Sequence, residues 1–260
     1  MRYIFLACLC LVSVVFFFSI KSNSEVVYRG QTKEEAFSFV MDSIKKFSWY
    51  RDKGYAVSLP VHTAFEELCQ KSELLEGKDT SFLRQFFCTE IYDAAQFAES
   101  LDIIRQTAAV VQKALQKLTV LGINWGFKVK PRYDIVLTLY GPGGNYMWTD
   151  DVGTVVIKID ASVSLKSKEW YLETIVHEMV HIGIEEDIVQ KNYLSHGEKE
   201  RLVDLICSFY LIDLLSGYKN QEEVDKKIDS FIDEKIIREN LPAAIEAFIA
   251  QYPRESSALC

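Results

Sequence analysis

Residues 173–181 read Glu-Thr-Ile-Val-His-Glu-Met-Val-His, and this segment constrains the chain more than any other. His177 and His181 stand four apart in an otherwise apolar run, so on a helix they share one face and can grip one ion through their imidazole nitrogens. Glu178 falls one position round that helix, close to such an ion without being forced to bind it. It can take a proton from a water held there, as a general base. The chain has only four histidines. A chance His-Glu-x-x-His in this composition is on the order of 1%, which makes an accidental core helix the weaker reading. The fold must then bring a third ligand to a buried helix from some other element.

Ser195-His196-Gly197-Glu198 opens a second helix, with Ser195 as N-cap and Glu198 at the capping-box position. Glu200 follows His181 by 19 residues, enough for one helix to end, the chain to reverse and a second helix to pass alongside. Glu200 is the expected third ligand, leaving a fourth position open. Asp204 lies one turn later among Leu202, Val203, Leu205 and Ile206, where a carboxylate needs a partner. It is expected to accept the N–H of a ligating histidine. Two imidazoles and one carboxylate suit Zn2+. His196 is a competing third ligand or a catalytic group facing the metal, while Tyr146 and Tyr193 are further neighbours by position. His62 has no partner motif and reads as structural.

The His-Glu-Met-Val-His segment followed by Glu-Lys-Glu-Arg-Leu-Val-Asp resembles the HExxH…ExxxD pattern of gluzincin metallopeptidases, the thermolysin-like clan. The resemblance covers about residues 140–215. It implies zinc held by His177, His181 and Glu200, Glu178 as base and Asp204 orienting a histidine. It also implies an edge strand at Gly144–Trp148 that holds a peptide or protein substrate by strand addition. Clan members steady the oxyanion with a His or Tyr; His196, Tyr146 and Tyr193 are the candidates here, and the sequence does not choose among them. Two alternatives share these residues: an inactive or structural zinc module acting by protein interaction, and a hydrolase of non-peptide amides or esters.

Elsewhere the pattern is helical from Gln31 to Thr119, with Thr32 and Glu35 as a capping box, a helix over His62–Glu76, and one long helix or two in series over Thr80–Leu118. Gly122 and Gly126 end this stretch. Strand signals follow near 135–140, 145–148 and 154–160, the last with one wet face; helix returns after Ser167 in three or four segments. The expected fold is α+β and mostly helical: a small mixed sheet beside the active helix, with a second helix bearing the third ligand. The expected divisions are residues 1–24, a helical lobe over 25–122 and a metallopeptidase domain over 123–260.

Residues 3–20 form an uncharged, largely apolar run after Arg2. It reads as a secretory signal or an uncleaved membrane anchor, and either exports the rest of the chain to a periplasmic, secreted or membrane-anchored position. Formal net charge is −8, and the first 24 residues carry Arg2 and Lys21 with no acid, which leaves −10 for the remainder. That balance argues against nucleic acid as a partner. Export permits disulfides, and Cys69–Cys88 would tie neighbouring helices.

Overall fold

The computed structural model describes residues 24–70, 79–159, 166–221 and 224–254. The apolar run at 3–20 lies outside them. Among the described residues no helix is long and apolar enough to cross a membrane. Strand β1 (Glu25–Gly30) leads into helices α1 (Lys33–Lys45), α2 (Phe47–Asp52), α3 (Thr63–Gln70), α4 (Ser81–Phe86), α5 (Ala98–Arg105) and α6 (Ala108–Trp125). Strands β2 (Arg132–Thr138), β3 (Gly144–Trp148) and β4 (Val152–Lys158) follow, then α7 (Lys168–Ile184), α8 (His196–Leu205), α9 (Glu234–Glu239) and α10 (Leu241–Gln251). The fold is thus α+β and mostly helical around one small mixed sheet.

The sheet order is β1-β2-β4-β3. β1 and β2, and β2 and β4, pair in parallel; β3 runs antiparallel to β4 and forms an edge, as expected for Gly144–Trp148. Tyr133, Ile135 and Leu137 of β2 and Val155 and Ile157 of β4 face the core, where they meet Ile175, Val176 and Met179 of α7. Burial of such side chains is worth roughly 1.5–3 kcal/mol each and drives the sheet onto the helix. Val156, expected on a wet face, is only 2% exposed, because β4 is an interior strand covered on both sides. Ile175, Val176, Met179, Val180, Leu202, Val203, Leu205 and Ile206 are all buried, as their pattern predicts. Gly183 is required where α7 ends: a Cβ there would overlap the Phe127 ring.

Four expectations give way. β1 was read as part of a helical lobe, yet Glu25 pairs with Arg132, so the sheet takes a strand from each side of residue 122. Helices α5 and α6 likewise share the main core with α7, and the smaller cluster is confined to Ala36–Phe87. The stretch Thr80–Leu118, expected as one long helix or two in series, is broken twice: at Tyr92, whose backbone is extended before Asp93 caps the Ala95 N–H to start a new turn, and between α5 and α6. Gly122 lies inside α6, and Gly126 ends it with a left-handed φ of 94°. Cys69 and Cys88 are free thiols; the Cys88 sulfur turns to the Lys33 carbonyl, 4.0 Å away.

Candidate metal centre

α7 starts at Ser167, whose hydroxyl accepts the Trp170 N–H, and runs beneath β3 and β4. The Ser195–Glu198 capping box forms as read and starts α8, which crosses α7. These two starts bring Glu200 to the histidines. Glu200 Oε2 lies 3.1 Å from His181 Nε2 and 3.4 Å from His177 Nε2, and the two Nε2 atoms are 3.0 Å apart. Donors about 2.0–2.2 Å from one tetrahedral ion stand about 3.3–3.6 Å from each other, so these three need only separate by a few tenths of an ångström. His177, His181 and Glu200 therefore form a group that can hold a metal ion.

Electrostatics support that fit. Burial works against charge on Glu200, but hydrogen bonds from His177 and His181 outweigh it and hold the carboxyl well below its ordinary range. Burial also opposes charge on His177, yet the Cys207 thiol and Glu200 raise its pKa well above the ordinary histidine value. Burial pushes His181 down to about 4. Glu200 Oε2 and the two Nε2 atoms crowd within 3.4 Å of one another. A cation among them satisfies all three.

The two histidines are held by different means. His177 Nδ1–H donates to Tyr218 Oη at 2.6 Å, and Tyr218 donates in turn to Asp204 Oδ1 at 2.7 Å. Asp204 was expected to touch a histidine directly; it acts through Tyr218, and it also accepts the Gln221 backbone N–H at 2.8 Å. This relay fixes the tautomer that leaves His177 Nε2 free to ligate. His181 has no such relay, and its buried Nδ1 finds no hydrogen-bond partner among the described residues. Its ring instead stacks on Tyr146 at 4.7 Å and 8°. Tyr146 is clamped by donating to Glu185 (2.7 Å) and accepting from Lys199 (2.9 Å). Tyr218→Phe should weaken metal binding about 10–100-fold, because His177 and Asp204 each lose a partner. A chelator-competition titration reads this, and a change under about twofold would show that the relay does not position His177.

Glu178 is not among the three donors. Burial pushes its carboxyl up to about 7. It faces a cleft of about 1170 Å³ beneath Gly144, whose backbone passes so close that a Cβ would overlap Glu178 Oε1. The far wall comes from α2 and the loop after it, with Trp49 and Tyr55 set around His196. His196 stands outside the three-donor group. Its Nε2 lies 2.8 Å from Tyr55 Oη and its Nδ1 3.5 Å from Glu200 Oε1. The tautomer that suits both neighbours accepts the Tyr55 proton at Nε2 and turns Nδ1–H toward Glu200. Tyr193 is 64% exposed and does not line the cleft. His62 accepts the Ala64 N–H and packs on Phe86, a structural role as read. Tyr55, Tyr218 and Gln221 were not singled out from sequence; Tyr218 and Gln221 lie in an irregular segment with no periodicity to flag them.

No family model matches the chain, and no curated protein or solved structure matches it.

Proposed function

We propose that this protein is a zinc-dependent metallopeptidase of the gluzincin type, acting outside the cytoplasm. The observation that carries the reading is the convergence of His177, His181 and Glu200 beside Glu178, in a roomy cleft bordered by an edge strand. Two imidazoles and a carboxylate suit zinc, and a structural zinc site would be closed off by protein rather than facing such a cleft. Zinc, when bound there, would supply Lewis acidity for a carbonyl and a more acidic water.

The chain's own residues do the rest. β3 offers the main-chain groups of Gly144–Trp148 to an extended peptide. Glu178 accepts the proton of the attacking water and returns it to the leaving amine; burial makes its carboxylate basic enough for both transfers near neutral pH. His196, its Nε2 held by Tyr55, would turn its Nδ1–H from Glu200 Oε1 to the oxygen that gains negative charge.

The test is metal analysis of the purified protein with digestion of a peptide library. About one zinc per chain and defined cleavage are expected. A protein that binds no metal, or one that binds zinc and cleaves only small esters or amides, would overturn the reading. Gly144→Ala gives a local check. The new methyl displaces the flexible end of Glu178 rather than backbone, so zinc content should hold while kcat falls about 100-fold.

A further inference from the structure

Gln221 reaches the same donor cluster from outside the two helices. Its side-chain Nε2 lies 2.8 Å from Glu200 Oε2 and 3.3 Å from His177 Nε2, so one amide touches two of the three ligand atoms. Its position is fixed independently of that amide, because its backbone N–H donates to Asp204 Oδ2 at 2.8 Å. The segment is therefore tied to the carboxylate that also holds Tyr218 and, through it, His177.

With a cation among the three donors, an amide N–H pointing at the cluster is repelled. A half-turn about the last side-chain bond exchanges Nε2 for Oε1 at nearly the same place and presents a lone pair instead. The tethered backbone keeps the side chain from leaving altogether. From this geometry we infer that Gln221 is a fourth, displaceable metal ligand, bound through its amide oxygen in the resting protein and replaced when a substrate carbonyl or an anionic ligand enters the cleft. This rests on the metal centre proposed above and adds a resting state to it. A neutral amide oxygen is a weaker zinc ligand than imidazole or carboxylate, which is what displacement requires. The cleft on the other side leaves room for the incoming group.

The test uses the full chain loaded with Co2+ and compares wild type, Gln221→Ala and Gln221→Glu. Metal affinity is measured by chelator competition, coordination by the visible absorption of Co2+, and displacement by acetohydroxamate titration. Gln221→Ala should weaken metal binding about 10-fold and alter the Co2+ bands, and hydroxamate should then bind several-fold more tightly because no ligand must leave. Gln221→Glu should restore or exceed wild-type metal affinity and weaken hydroxamate binding, since a carboxylate ligates but cannot donate. Unchanged affinity and bands in Gln221→Ala would overturn the assignment. So would Gln221→Glu losing affinity alongside Gln221→Ala, or tighter hydroxamate binding to wild type than to Gln221→Ala, both of which mark an N–H donor. Failure of wild type itself to bind any metal would defeat the proposed function and not merely this role.

Discussion

Glu178→Gln is expected to bind zinc as tightly as wild type and to lose peptide turnover by about 100- to 10,000-fold, the span that a positioned general base contributes. The substitution keeps the size of the side chain and removes only its capacity to take a proton. Metal binding should survive because the three donor atoms belong to His177, His181 and Glu200. Folding should survive because Glu178 is buried at 7% exposure, where a neutral amide is easier to accommodate than a carboxylate. The measurement is kcat on the best library peptide beside zinc content. Loss of both together would mean that Glu178 supports the site structurally. Full activity with zinc in place would remove it from the chemistry.

The metal cluster was legible because its signals are local. The i, i+4 spacing of His177 and His181 sets them on one face whatever the rest of the chain does, and the capping box at Ser195 starts α8 in the right phase to present Glu200. The edge strand was legible for a similar reason, since Gly141–Gly144 and Asp150–Asp151 bracket a short run that can pair only locally with β4. β1 was not. Its partner lies 107 positions away, and a parallel pairing leaves no hairpin signature in the sequence. Residues that act on the cluster through loops were hidden as well. Tyr218 intervenes between Asp204 and His177 from an irregular segment, and Tyr55 meets His196 across 141 positions. Periodicity can predict that Asp204 needs a partner in its apolar setting, but not that the partner is a phenol rather than an imidazole.

Removing the metal should cost stability as well as activity. Without an ion, Glu200 Oε2 and the Nε2 atoms of His177 and His181 crowd within 3.4 Å of one another in a buried site. An ion that binds the folded chain and not the unfolded one contributes about 4 kcal/mol at a free concentration 1,000 times its Kd. For a chain of this size a change of about 1 kcal/mol moves Tm by roughly 2–4 °C, so chelation should lower Tm by roughly 8–16 °C. Glu200→Ala should melt low with or without chelator, since it lacks the one anionic donor that draws the cation to two neutral imidazoles. Glu178→Gln should show the full chelator-dependent drop. The contrast matters because a general loss of packing would lower Tm in both variants irrespective of metal, whereas only a ligand makes the drop depend on it. A wild-type Tm that ignores chelator after zinc saturation would show that the three side chains converge without holding an ion.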